Sequence, residues 1–349
     1  MSNAKARIVI VDDSAFMRMV LKDIIDSQPD MQVVGFAKDG LEALEVIAEK
    51  KPDLVTLDVE MPRMNGIETL KQIMAKFPTR VIMVSSLTEE GADITLTALS
   101  LGAVDFVTKP AGSTSLSFRT VADELIQKIR AALQIPISKL TSKPTVAKVS
   151  LKIKQPILGQ KAVVIGSSTG GPKSLDQIIP ALPKDFPAPI FVVQHMPPVF
   201  TKSLAMRLNS ISELNVKEAE DGEIVKAGFV YVAPGDWHMG VKVVNRDVKI
   251  FLDKSDKINN VRPAVDFTLN YVAEIYKSNT IAVILTGMGR DGQKGAFKVK
   301  YYSGKVIAED ETTCAVFGMP KAVIEEGYAD FVLPAYKIAE KLVELVQER

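Results

Sequence analysis

Val163-Val164-Ile165-Gly166-Ser167-Ser168-Thr169-Gly170-Gly171 is an apolar, β-branched run that breaks into glycines and hydroxyls, and Pro172 follows at once. Proline is favoured in the first turn of a helix, where its missing N–H costs nothing. The stretch predicts a strand, a tight turn and a helix start, with a serine at the carboxyl end of the strand. Open α/β sheets bind ligands and do chemistry at that end. The turn suits two tasks, cradling a phosphate or presenting a nucleophile, and its surroundings have to decide between them.

Outward from this turn, the second half of the chain keeps alternating. Strands are expected at 162–165, 190–194, 229–232, 249–252, 281–285 and 305–308, with helix-like pieces at 173–179, 264–276, 292–301 and 336–347. The N-terminal half alternates independently, with strands expected at 8–11, 33–37, 54–57, 81–84 and 103–107. Helices are expected there at 15–25, 40–49 and 121–133, the last with Val121, Leu125, Ile129 and Leu133 four apart. Both halves read as α/β, doubly wound parallel sheets with intervening helices. Residues 134–156 break the pattern with Pro136, Pro144 and a series of lysines and no acidic residue. They read as a basic linker, which divides the chain into 1–133, 134–156 and 157–349.

The 349 residues are 47% hydrophobic and 24% charged, enough apolar content for two cores, and the formal net charge of +1 argues against a nucleic-acid partner. The single cysteine, Cys314, excludes an intrachain disulfide and suits a reducing compartment; it is expected as a buried packing residue. No apolar run reaches the length of a membrane span and no signal-peptide layout opens the chain. A cytoplasmic protein without membrane insertion is expected.

Asp12 and Asp13 follow the first expected strand, Asp58 the third and Lys109 the fifth. Three carboxylates converging on one sheet edge repel one another unless a cation sits among them, and Mg²⁺ suits such a set. A lysine there can pair with phosphate, and a carboxylate can accept a phosphoryl group covalently. Asp58 is the central candidate because its strand is the middle one of the five. Ser85, ending the fourth, offers a hydroxyl to a new phosphate.

Val11-Asp12-Asp13-Ser14, Leu57-Asp58-Val59-Glu60-Met61-Pro62-Arg63-Met64-Asn65-Gly66 and Thr108-Lys109-Pro110 resemble the receiver domain of two-component response regulators. The resemblance implies a flavodoxin-like fold and transfer of phosphate from a histidine kinase to Asp58. It further implies Mg²⁺ held by Asp12, Asp13 and Asp58, with Ser85, Phe106 and Lys109 reading the phosphate out.

A serine nucleophile needs a base, and usually an acid to orient that base. The chain has two histidines. His195 ends the strand at 190–194, in a position parallel to the serine turn, and is the favoured base. His238 is expected in a loop. Asp291, in the glycine-rich turn after the strand at 281–285, can fix the imidazole. Asp266 is the rival acid, better suited to anchoring a helix. The order Ser168, His195, Asp291 is not that of the α/β-hydrolases, and neither their Gly-x-Ser-x-Gly elbow nor Gly-x-Gly-x-x-Gly is present.

Ile165 to Gly171, Gln194-His195-Met196-Pro197, Ala233-Pro234-Gly235-Asp236, Arg262-Pro263, Thr286-Gly287-Met288-Gly289 with Asp291-Gly292, and Phe317-Gly318-Met319-Pro320 are similar to the chemotaxis methylesterase family CheB. That family joins a receiver to a catalytic domain in this order. The resemblance implies a Rossmann-like, mainly parallel catalytic sheet that hydrolyses glutamate methyl esters on chemoreceptors, releasing methanol, and deamidates receptor glutamines. It implies Ser168 as nucleophile, His195 as base, Asp291 as orienting acid, and Thr169 and Met288 shaping the oxyanion site and cleft, without a cofactor for the ester step. Phosphate on Asp58 would activate the enzyme for adaptation in bacterial chemotaxis. The family commonly carries alanine at 167 and serine at 264, where this chain has Ser167 and Ala264. Ser167 puts a second hydroxyl beside Ser168, and which of them reacts is open at this point.

Overall fold

A computed structural model describes residues 5–109, 115–140 and 161–348, with backbone alone for 115–120. The chain divides into two compact units, Met1–Lys143 and Pro144–Arg349. Residues 141–156 of the expected linker lie outside the described residues.

The first unit runs β1 (Ala6–Val11), α1 (Ala15–Asp26), β2 (Met31–Ala37), α2 (Gly40–Lys50), β3 (Leu54–Asp58), α3 (Gly66–Lys76), β4 (Arg80–Ser85), α4 (Glu89–Ser100), β5 (Asp105–Thr108) and α5 (Ser115–Leu133). Its five strands lie in the order β2-β1-β3-β4-β5, every pair parallel. Every residue of β3 is buried, as in a central strand covered by helices on both faces. Asp39 caps α2 by accepting from the Leu41 and Glu42 amides, and Asn65 caps α3 by accepting from Glu68 N. Asp58 therefore ends the middle strand, with Asp12 emerging from the strand beside it. Residues 134–140, read from composition as the start of a tether, pack on this unit. Ile135 and Leu140 are buried, and Ile135 O accepts from Arg80 Nε at 2.8 Å.

The second unit runs β6 (Ala162–Ser167), α6 (Gly171–Ile178), β7 (Ile190–Gln194), α7 (Phe200–Ile211), β8 (Asn215–Glu218), β9 (Phe229–Val232), β10 (His238–Val244) and β11 (Asp247–Asp253). It continues with α8 (Val265–Tyr276), β12 (Thr280–Ile284), α9 (Gln293–Tyr301), β13 (Lys305–Glu309), α10 (Met319–Glu325), β14 (Phe331–Leu333) and α11 (Ala335–Gln347). Seven strands form an all-parallel sheet in the order β14-β13-β12-β6-β7-β9-β8. In register, Ile284 of β12 lies beside Gly166 of β6, and Ser167 beside Gln194 of β7. The carboxyl ends of these three strands thus emerge side by side.

Two expectations are corrected here. The strand expected at 249–252 belongs to β11, which pairs antiparallel with β10 in a separate hairpin. His238, expected in a loop, opens β10 and faces Asp253 across that hairpin. The strand was hidden by Gly240, which sits under the Phe251 ring; a Cβ there would come within 2.4 Å of Phe251 Cζ.

Candidate active site and phosphoacceptor site

β6 ends in Ser167, which is fully buried and donates its hydroxyl to Gln194 Oε1 at 2.6 Å. Gln194 Nε2 in turn donates to Ser168 O at 3.0 Å and His195 O at 3.3 Å. Ser167 thereby ties the two strand ends together from beneath. Ser168 is only half-buried, and its backbone is fixed by its amide donating to Thr286 O at 3.0 Å and its carbonyl accepting from Gly171 N at 2.8 Å.

Gly287 lies flat against Ser168. A Cβ at 287 would sit 2.7 Å from Ser168 Cβ and 2.4 Å from Met319 Sδ, so only glycine leaves the serine room. The Gly287 amide donates to Val316 O, and its carbonyl accepts from Gly318 and Met319. Met288, next along, is half-buried, and its amide meets no acceptor among the described residues. Thr169 is buried, its carbonyl accepting from Thr286 Oγ1 at 2.9 Å.

His195 follows β7, its amide donating to Ser167 O at 3.0 Å. Its Nε2 is 2.8 Å from Asp291 Oδ2, which leaves Nδ1 as the nitrogen available to a hydroxyl proton. No hydrogen bond joins Ser168 Oγ to the imidazole in this structure; such bonds often form only with substrate in place.

Asp291 is 2% exposed and every lone-pair direction is used. Oδ2 accepts from Val265 N at 2.7 Å as well as facing His195, and Oδ1 accepts from Asn259 Nδ2 at 2.9 Å, Asp266 N at 3.1 Å and Gly292 N at 3.1 Å. Val265 and Asp266 open α8, so the carboxylate caps the positive end of that helix. Burial pushes its pKa up, but the His195 contact and the backbone donors outweigh burial and hold it below the ordinary range. A buried acid kept ionised in this way keeps Nε2 protonated.

Asp266 reaches no histidine. Its Oδ1 accepts from Gly295 N at 2.7 Å and its Oδ2 from Asn259 Nδ2 at 3.0 Å, which anchors the start of α9. Burial first, then the charge of Asp291, push it up to about 6. Asn259, which contacts both carboxylates, is unmarked in the sequence. His238 is fully buried, stacked 4.7 Å from the Phe267 ring with Nε2 3.1 Å from Asp256 O, and makes no hydrogen bond to Ser168 or Asp291. Cys314 is buried, 1% exposed.

In the first unit, carboxylate oxygens of Asp12, Asp13 and Asp58 all lie within 4.8 Å of one another. Asp12 Oδ1 accepts from Ser14 N at 2.9 Å, while Oδ2 is buried without a hydrogen bond, 3.4 Å from Lys109 Nζ. An unsatisfied buried carboxylate oxygen is costly, and a hard cation among three acids would satisfy it. Lys109 Nζ lies 2.7 Å from Asp58 Oδ2. Burial pushes Asp58 up to about 6, the Lys109 hydrogen bond opposing and the Asp12 charge assisting. Ser85 is fully buried and turned toward α4, its Oγ 2.8 Å from Thr95 Oγ1 and 3.2 Å from Gly91 O; it is not bonded to Asp58. Phe106 is buried, with Lys128 Nζ 4.9 Å from its ring centroid.

The Asp58 shift gives a direct expectation. Carboxyl-carbon NMR of the full chain in EDTA should show Asp58 titrating near pH 6, so that its charged form is lost below that value. A midpoint near 4 would contradict the buried geometry.

Residues 163–342 match the model of the CheB methylesterase family, and residues 8–120 that of the response regulator receiver domain. The chain belongs to the CheB methylesterase family. It is 72% identical to a protein-glutamate methylesterase/protein-glutamine glutaminase of Thermotoga maritima, over 99% of this chain and 100% of that one. A protein of the same name from Pyrococcus horikoshii is 48% identical over 98% of this chain and 94% of its own. The crystal structure of the Thermotoga maritima CheB methylesterase catalytic domain is 78% identical, with a TM-score of 0.53, and covers 54% of this chain and 100% of that one. The CheB chain thus carries a receiver domain ahead of its catalytic domain. The receiver match and the acidic cluster together mark a divalent-metal site. No helix among the described residues is long and apolar enough to cross a membrane.

Proposed function

We propose that this chain is a phosphorylation-activated serine hydrolase that removes methyl esters from chemoreceptor glutamates and deamidates receptor glutamines, acting in the cytoplasm in adaptation during chemotaxis. The names of its relatives support the substrate class. The observation that carries the chemistry is a saturated, ionised Asp291 on His195 Nε2, with a half-buried Ser168 on the adjacent strand end.

In this reading Ser168 Oγ attacks the glutamyl carbonyl while His195 Nδ1 takes the hydroxyl proton. Asp291 stays ionised and stabilises the imidazolium. The Met288 amide, with the Thr169 turn, faces the oxyanion; one such donor contributes roughly 10²–10³ in rate. Collapse of the tetrahedral intermediate breaks the bond to methoxide, which leaves as methanol with the proton from His195; ammonia leaves from a glutamine. Water, deprotonated by His195, then cleaves the acyl-enzyme to a free glutamate and restores Ser168.

Regulation rests on the receiver. A histidine kinase of the chemotaxis pathway donates a phosphoryl group to Asp58, and the Lys109 ammonium pairs with it. Asp12, Asp13 and Asp58 would hold Mg²⁺, which when bound offsets the charge of the acids and the phosphate. Ser85 would exchange its Gly91 and Thr95 partners for the phosphate, with Phe106 following, as in two-state switches. Activation can be no larger than the preference this exchange creates between the two states.

Methanol release from membranes bearing methylated chemoreceptors tests the reading. The full chain should release methanol from them, and ammonia from receptors with glutamine at the same positions. Absence of both products would reject it.

A further inference from the structure

We propose that Asn259 is a positioning residue of the esterase, its side-chain amide clamping Asp291 in the orientation that holds His195; the proposal rests on the triad reading above. Asn259 sits in a tight turn closed by Ile258 and Val261, each amide donating to the other's carbonyl at 3.2 and 3.0 Å. The outer face of Asn259 is exposed, yet its Nδ2 donates inward to two buried carboxylates, Asp291 Oδ1 at 2.9 Å and Asp266 Oδ2 at 3.0 Å. A side-chain amide has two N–H donors and no charge, so it can serve both acids at once. Two carboxylates this close would otherwise compete for a proton. Burial and the charge of Asp291 put the proton preference on Asp266, which contacts no histidine, while the His195 contact and backbone donors keep Asp291 charged. What Asn259 adds is the orientation of the Asp291 carboxylate, by bridging it to Asp266. Among the described residues, Asn259 supplies the sole side-chain donor to Asp291 Oδ1; the other two donors are backbone amides fixed by the fold.

A different explanation for an asparagine here is the turn itself, because its φ is +53° and asparagine tolerates the left-handed region. Glycine tolerates it better, so Asn259→Gly keeps the turn and removes the amide. In the full chain acting on methylated receptor membranes, assayed well below the melting temperature, Asn259→Gly should lower kcat about tenfold with KM unchanged, and the melting temperature should fall because two buried carboxylates lose a donor. Adding Asp266→Asn in that background removes the competing charge and should recover severalfold of the loss. Asn259→Asp keeps the side-chain shape and the turn but sets a third carboxylate against the pair, and should lose more than the glycine variant. A kcat within twofold of wild type in either single variant overturns the clamp. Ser168→Ala, run alongside, separates the two claims: methanol release by that variant would sink the triad reading itself, whatever Asn259→Gly does.

Discussion

Ser168→Ala lowers methanol release by about 10³–10⁶-fold, while Ser167→Ala stays within severalfold of wild type and loses stability instead. The two hydroxyls are adjacent in sequence, but consecutive strand-end side chains point to opposite faces. The Ser167 hydroxyl is buried and donates at 2.6 Å to Gln194, whose own amide supports the Ser168 and His195 carbonyls. Removing it leaves Gln194 Oε1 without that donor, a cost of roughly 1–3 kcal/mol in folding. The Ser168 hydroxyl is spent on no such bond, and its Cβ packs against Gly287. Methanol release and thermal unfolding, measured on both variants, check this. An inactive, fully stable Ser167→Ala beside an active Ser168→Ala would reverse the assignment.

Asp58→Asn abolishes phosphoryl acceptance from a histidine kinase or acetyl phosphate, because an amide oxygen cannot form the acyl phosphate. The same variant should be more stable than wild type in EDTA at neutral pH, which excludes misfolding as the cause. Burial raises Asp58 from 3.8 to about 6, so its charged form is disfavoured in the folded state. For an acid with a raised folded pKa, stability is fully present below the unfolded pKa and is lost as pH rises through the folded one. The advantage of the amide variant is therefore absent below about pH 4, grows between about pH 4 and 6, and reaches on the order of 2–3 kcal/mol above that. Labelled phosphate on the variant, or a melting-temperature difference equal at about pH 4 and about pH 7.5, would contradict this account.

The parallel cores were legible because β3, β6, β7 and β12 are buried along their whole length and so read as runs dominated by apolar and β-branched residues, without alternation. Once those strands lie side by side, the residues that follow them must share one edge, and that brought Ser168, His195 and Asp291 into one list. Edge elements were not legible. β8 buries little beyond Val216, and β14 is three residues long, so neither carries a pattern. The β10 hairpin was masked by Gly240, with which a ring from the next strand is packed. Asn259 lies in a polar turn, and its partner Asp291 is 32 residues away, a relation that periodicity cannot encode. The Ser167 bond to Gln194 depends on which way each side chain turns at a strand end, and the Ser85 hydroxyl likewise points toward α4 for reasons of local packing.

We propose that Ser168 chemistry in one unit answers to phosphate on Asp58 in the other. The most direct measurement is the rate of methanol release from methylated receptor membranes by the full chain, before and after acetyl phosphate. Release should rise with phosphate on Asp58 and be absent from Ser168→Ala under both conditions. A chain carrying phosphate on Asp58 that releases no more methanol than the unphosphorylated chain would contradict it.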